Sequence, residues 1–364
     1  MKVMVVGPTE IEDEVREAGS RHQVYNRTPE FSTFIRDIED KLRQVFRTAN
    51  DVYIVNCSGT GIMECALVNF LSAGDKIIIL SSGTFGDRWL EMATAYGLSP
   101  QFLKTEQGQQ ADLSVLSAAL TPDVKAVFVT ANETSTGTAC DLESIGKIVK
   151  ASNALLIVDA VSSLSANRLE TDAWHCDVVV SSTHKALAVP PGMSLISVSE
   201  KAWQHEAVAT LPKYYFDLKR YRKNLANGQT PFTPAISLLF QLNARLDRLL
   251  AEGLDNVIAR HKKLSDHLRA KLEAIHLNTF DINPANGMVG ILFGPDVDAY
   301  EVVNRLRDEH RIQITPSPEP DKHRIVRVGL FGALNIQDVD DFALALRQIL
   351  GRTGIVEVSK NISK

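Results

Sequence analysis

Cysteine is scarce. Four residues in 364, Cys57, Cys65, Cys140 and Cys176, are too few and too irregularly spaced for a disulfide framework or a zinc site, so a reducing compartment, the cytoplasm, is expected. Positive charge is not in excess either: the formal charge of −5 argues against a large non-specific nucleic-acid surface. No apolar run approaches the roughly 18 residues of a membrane span. The opening MKVMVVGPTEIEDEV turns acidic after a short apolar stretch, unlike a signal peptide, and the final Asn361-Ile362-Ser363-Lys364 carries no retention or peroxisomal address. Internal repeats and low-complexity tracts are absent, and no His/Asp/Glu cluster has metal-ligand spacing. What is present is ordinary for a globular chain, 45% hydrophobic and 23% charged residues, long enough for about two domains.

Short β-rich runs alternate with helical patterns through the first two thirds. Strands are expected at Val52–Asn56, Lys76–Leu80, Val124–Ala131, Ala154–Asp159, Asp177–Ser181 and Ser194–Val198. Several are near-continuous Val/Ile/Leu runs, as when both faces of a sheet are covered. Amphipathic segments lie between them, at Gly61–Ser72, Asp87–Tyr96 and Leu142–Ser152. The alternation predicts an α/β fold: a mainly parallel sheet flanked by helices, with its ligand-binding loops along one edge. Two long helices, Ile236–Glu252 and Leu254–Leu272, meet at Gly253. Beyond them, strands at Gly287–Phe293 and Ile325–Gly329 and helices at Asp298–Glu309 and Ile336–Leu350 predict a smaller α+β domain. The division is placed at 1–254 for the large domain and 255–364 for the small one, and the tail Arg352–Lys364 is expected to be mobile.

Four segments at strand ends carry chemistry. Asn56-Cys57-Ser58-Gly59-Thr60-Gly61 opens a helix, and its small residues let backbone amides approach an anion such as a phosphate; it is also compatible with an ordinary turn. It is neither G-x-G-x-x-G nor G-x-x-x-x-G-K-[ST], so a dinucleotide fingerprint or P-loop is not supported. Leu155–Asp159 ends on a carboxylate that could meet a metal, a ribose or a protonated ring nitrogen, or simply cap the next turn. Lys185, 26 residues later, follows Val178–His184 and precedes the restricted run Ala186–Gly192. A lysine held there can be desolvated into a nucleophilic amine that forms a Schiff base, whereas most lysines are solvated. Ala131–Gly137 is a hydroxyl-dense loop. Together, an anion cradle, a carboxylate, a lysine and hydroxyls match one cofactor, pyridoxal 5'-phosphate, which needs a lysine to hold its aldehyde and a carboxylate to keep its ring nitrogen protonated.

The ordered strings SGTGIMECALVNFL, GTFGDRW, NETSTG, LLIVDAVSSL, HKALAVPPG and RVGLFG resemble the class V, fold-type I aminotransferases of the alanine–glyoxylate/serine–pyruvate kind, from about Val5 to Leu350. The resemblance implies a seven-stranded large-domain sheet and the following roles. Thr60, Gly61 and Ile62 would present donors to the cofactor phosphate, and Phe85 would stack on the pyridine ring. Thr134 would lie near the ring oxygen, Val161 against the opposite face, and Asp159 and Lys185 would act as argued. Arg327 would grip the substrate carboxylate with its bidentate fork, although a surface ion pair is the plain alternative. Thr230 and Thr233 would complete a partner's phosphate site, implying a homodimer with active sites at the subunit interface. Three departures bear on the substrate: Val5-Val6-Gly7-Pro8-Thr9 replaces the usual Gly-Pro-Gly-Pro start of the pocket loop, His184 stands where glutamine is common, and Thr230 where tyrosine is. Asn26–Phe31 falls at a further pocket motif.

The expected reaction moves the amine of a small amino acid, alanine or serine, to glyoxylate or pyruvate in a ping-pong cycle through a Lys185 aldimine. A lyase or specialised-pathway aminotransferase on the same fold, and a non-catalytic relic, are the alternatives. Cys140 is not where the related cysteine desulfurases carry their mobile cysteine.

Overall fold

The computed structural model describes residues 1–280 and 282–352. Apart from Arg352, the expected mobile tail lies outside the described residues. The apolar runs form a seven-stranded sheet of β1 (Val52–Val55), β2 (Lys76–Ser81), β3 (Ser99–Lys104), β4 (Val124–Thr130), β5 (Leu155–Asp159), β6 (Val178–Ser182) and β7 (Ser194–Val198). The order across it is β1-β7-β6-β5-β4-β2-β3. Strands β2 to β6 run parallel, while β7 lies antiparallel between β6 and β1.

Strands β5, β6 and β7 are buried at every residue, because helices cover both faces of the sheet. Successive side chains point to opposite faces, so one strand feeds two cores. Leu156 and Val158 join a core with Phe31, Ile35 and Leu242, from α1 (Pro29–Phe46) and the long helix Ile236–Glu252. Leu155 and Ile157 join the other core with Ile62 and Leu67 of α2 (Gly59–Phe70) and Trp89 of α3 (Thr84–Ala95). Each such side chain contributes about 1.5–3 kcal/mol by leaving water.

Among the elements that the sequence patterning does not bring out, two bear on the site and the sheet edge. Strand β3, Ser-Pro-Gln-Phe-Leu-Lys, is an edge strand paired only with β2 among the described residues, half-exposed and tolerant of Pro100, so it has no continuous apolar run. Helix α1 begins inside the segment placed in the pocket. Thr28 is its N-cap, accepting the Phe31 amide at 3.2 Å, and Pro29 opens its first turn. Phe31 therefore enters the core.

The second unit is a four-stranded antiparallel sheet of β8 (Asn278–Thr279), β9 (Met288–Leu292), β10 (Thr315–Pro316) and β11 (Ile325–Gly329), in the order β8-β9-β11-β10. Helices Leu254–Glu273, Ala299–His310 and Ile336–Arg352 pack around it, with Leu264, Leu268, Val289, Val302 and Phe342 in a third core. This is the expected smaller α+β unit. The N-terminal Lys2–Val3 pairs in parallel with Ile312–Gln313, and Met4 enters the third core. From there the chain runs directly into the site at Val6, Gly7 and Pro8.

Candidate active site

The carboxyl ends of β1, β4, β5 and β6 deliver their loops to one edge of the sheet, the edge where open α/β sheets hold ligands. There they enclose a cavity of about 360 Å³ lined by Pro8, Ser58, Gly59, Thr60, Met63, Phe85, Arg88, Thr134, Asp159, Val161, Ser162, His184, Lys185, Pro191 and Gly192. Asp159 closes β5, and its Oδ1 accepts the Val161 amide at 2.9 Å. Lys185 sits in the loop after β6. Its carbonyl accepts from Thr9 Oγ1 at 3.0 Å and its Nζ donates to the Val6 carbonyl. Thr183 Oγ1 ties this loop to Pro190 O at 2.8 Å. Gly7, at φ +121°, passes so close that a Cβ there would lie 2.8 Å from Lys185 Cδ. Thr134 Oγ1 and Ser162 Oγ are 2.7 Å apart. Arg327, on β11 of the small unit, donates to Thr134 O at 3.2 Å and to Pro316 O at 2.8 Å.

Burial sets the charges. It raises the Asp159 carboxyl to about 6, against the pull of the Val161 amide and of Lys185. Lys185 is lowered to about 8, first by burial and then by Arg327, with Asp159 opposing. Arg327 is lowered to about 10 by burial, with Glu133 opposing. His184 is pushed down to about 4 by burial and the Lys185 charge, so its ring is neutral near pH 7, and its Nδ1 lies 3.0 Å from Ser182 Oγ. The site thus holds a desolvated amine whose protonation changes at moderate pH, beside a buried carboxyl.

Of the residues singled out in the sequence, Pro8, Thr60, Phe85, Thr134, Asp159, Val161, His184 and Lys185 line this cavity. Gly7 packs on Lys185, and Arg327 approaches through Thr134. The cradle differs in detail from expectation. Helix α2 starts at Gly59, and its N-cap Ser58 accepts the Gly61 amide on Oγ at 3.3 Å and the Ile62 amide on its carbonyl at 3.1 Å. The earlier amides, of Gly59 and Thr60, are those a helix start leaves for an anion. Ile62 is fully buried in the core. Thr230 and Thr233 do not line the cavity: the Thr230 hydroxyl donates to Phe232 O at 2.8 Å, and Thr233 O accepts from Asn56 at 3.1 Å. None of the four cysteines lines it either, and burial pushes the Cys57 thiol to about 11 and Cys140 to about 12.

The sequence offers no assigned role for two lining residues, Ser162 and Arg88. Arg88 donates to Thr60 Oγ1 at 2.9 Å and lies 4.8 Å over the Phe85 ring. Its spacing of three from Phe85 on a helix, which puts both on one face, was the available signal. Ser162 also lay within a quoted string, but only the fold brings it to Thr134.

Pyridoxal phosphate asks for a buried carboxylate, a desolvated lysine, flanking apolar and aromatic surfaces, and anion donors. The cavity supplies Asp159, Lys185, Val161 with Phe85, and the start of α2 with Thr60. Arg327 Nε is buried without a hydrogen-bond partner, a donor still free to meet an anion. The residues fit the cofactor.

Comparisons with known proteins agree. The profile of the family described as Aminotransferase class-V matches residues 9–340. The chain is 35% identical over 360 residues to the soluble hydrogenase 42 kDa subunit of Anabaena cylindrica, covering 97% of this chain and 94% of that protein. It is 30% identical over 342 residues to L-aspartate–glyoxylate aminotransferase of Paracoccus denitrificans, covering 91% and 86%. The solved alanine–glyoxylate aminotransferase of Nostoc sp. superposes with a TM-score of 0.91 at 28% identity, over 96% of this chain and 94% of that one. A buried lysine and carboxylate at the mouth of a fold-type I sheet, with a family profile spanning both units, lead to one conclusion: the chain belongs to the class V aminotransferases, which are pyridoxal-phosphate-dependent enzymes.

Proposed function

We propose that this aminotransferase moves the amine of a small amino acid, alanine or serine, to glyoxylate or pyruvate in two half-reactions. The observation that carries the reading is the pairing of Lys185 and Asp159 in one small, largely apolar cavity that Arg327 approaches from the other unit. When bound, the cofactor supplies an aldehyde that condenses with amines and a ring that withdraws electrons. The rest falls to the chain. Asp159 holds a proton at the ring nitrogen. Lys185, with its amine basicity lowered to about 8, carries a proton to and from the substrate Cα. Phe85 and Val161 would hold the ring between them, Thr134 would offer a hydroxyl to it, and the Thr60 region and His184 would take the phosphate. Arg327 takes the substrate carboxylate. A cavity of about 360 Å³ that must also admit the cofactor favours short side chains. Glyoxylate as acceptor is favoured by the names of the aspartate- and alanine-dependent relatives, which share it.

A homodimer belongs to the same proposal. Tyr214 and Tyr215, 68% and 38% exposed, gather around Phe232 at 6.2 and 4.8 Å, beside the Thr230–Thr233 segment. An exposed aromatic patch of this kind suits a second copy.

The test is the visible absorption of the purified protein while single amino acids are added. Bleaching of the cofactor band by alanine or serine, restored by glyoxylate or pyruvate with glycine or alanine formed, is expected. A band that neither donor changes would overturn the donor assignment. Release of ammonia with pyruvate from serine, the cofactor band returning without any oxo acid, would mark a lyase.

A further inference from the structure

Glu133 is a carboxylate the reaction does not use, yet it is 1% exposed and lies between the two loops that build the ring slot. A buried carboxylate is costly unless donors surround it. Here four do. Its Oε2 accepts the Phe85 and Gly86 amides at 3.1 and 3.2 Å, and its Oε1 accepts the Ser135 amide at 3.0 Å and the Ser135 hydroxyl at 2.6 Å. The Thr84 amide points at Ser135 Oγ at 3.4 Å. The first three residues of α3, whose amides have no partner inside the helix, are thus met by a loop almost 50 residues further along the chain. Gly83, in the N-cap position, offers no side chain for this purpose, and a Cβ there would lie 2.6 Å from Glu133 Cγ. Glycine leaves room for Glu133 to take over the cap. A negative charge at this helix end is also favoured by the helix dipole.

The consequence reaches across the site. Phe85 sits in the turn that Glu133 holds, and Thr134 is the next residue in the chain. Arg327 then donates to the Thr134 carbonyl at 3.2 Å. We propose that Glu133 is a positioning residue: it clamps the first turn of α3 to the Thr134 loop, and so presets the gap between the Phe85 ring and the hydroxyl and arginine that face it. This rests on the reading of Phe85 as the ring-stacking side chain. A preset slot binds a planar ligand more tightly because less ordering remains to be done on binding.

The experiment is a double-mutant cycle on full-length protein stripped of cofactor, with pyridoxamine phosphate as the probe and its affinity read by calorimetry. This amine cannot condense with Lys185, so the covalent link does not mask the slot. Phe85→Leu is expected to weaken binding about threefold to tenfold, the scale of one aromatic contact. Glu133→Gln keeps the shape but can no longer accept four donors, and about tenfold weaker binding is expected from the loss of charge-assisted bonds. In the Phe85→Leu background, Glu133→Gln should cost less than about twofold more, because it acts through the ring. A merely structural carboxylate would give either no change in affinity or two losses that multiply; either overturns the proposal. Should Phe85→Leu alone leave the affinity unchanged, the stacking assignment fails first, and the proposal with it. Ser135→Ala, which removes one donor to Glu133 and the acceptor of the Thr84 amide, goes through the same cycle with the same criteria, so a Glu133→Gln protein that does not fold still leaves a decisive result.

Discussion

Lys185 is held in a place that suits its chemistry and works against the stability of the cofactor-free protein. Its amine falls from an ordinary 10.5 to about 8, chiefly by burial. At 1.36 kcal/mol for each factor of ten, keeping the ammonium in the folded site costs about 3 kcal/mol at pH 7. Replacing it by methionine, of similar length and apolar, removes that cost. The replacement also removes the bond from Nζ to the Val6 carbonyl, whose loss costs about 1–2 kcal/mol. Cofactor-free Lys185→Met should therefore be about 1–2 kcal/mol more stable than the parent at pH 7. Between pH 8 and 10.5 the unfolded parent binds the extra proton, so parental stability rises with pH through that window and the advantage shrinks. It reverses near pH 9 or somewhat above, and beyond the unfolded value the variant is the less stable by about 1–2 kcal/mol. Urea unfolding of both proteins from pH 7 to 10.5 measures this. A variant less stable at pH 7, or a difference that stays flat across the window, would refute the claim that Lys185 is desolvated.

Two further predictions concern the same cavity. Gly7→Ala puts a methyl 2.8 Å from Lys185 Cδ and 3.1 Å from its Nζ at a φ of +121°. Strain of about 1–3 kcal/mol displaces one or the other, so kcat/KM should fall about 100-fold with far-ultraviolet dichroism unchanged; a loss within about threefold would mean that the loop yields. Arg327→Lys cannot keep bonds to Thr134 O and Pro316 O and still offer a planar fork. The KM values for amino acid and oxo acid should rise about 30- to 100-fold with a smaller fall in kcat, and a lowered kcat at unchanged KM would place Arg327 outside the carboxylate site.

Much of this protein was legible in the sequence because its signals are local. Strands β5 and β6 are apolar runs that end on Asp159 and just before Lys185, and a buried parallel strand needs no partner to be recognised. The ordered strings around them were enough to place the chain in its family. The exposed edge strand β3 lacks such a run, whereas the start of α1 carries a readable Thr28–Pro29 cap. The site divides along the same line. Residue types at strand ends announce a carboxylate and an amine, but which amides remain for an anion depended on where α2 begins, and Ser58 takes those of Gly61 and Ile62 for its cap.

The α/β architecture, the family and the two groups the chemistry requires follow from short-range patterning along the chain. Their tuning depends on contacts between segments far apart in the chain. Lys185 meets the Val6 carbonyl across 179 residues, Arg327 meets Thr134 across 193, and Glu133 caps a helix on which it does not lie. Burial and hydrogen bonding between such distant segments exist only once the sheet has brought their loops to one edge, and it is burial that moves the amine to about 8 and the carboxyl to about 6.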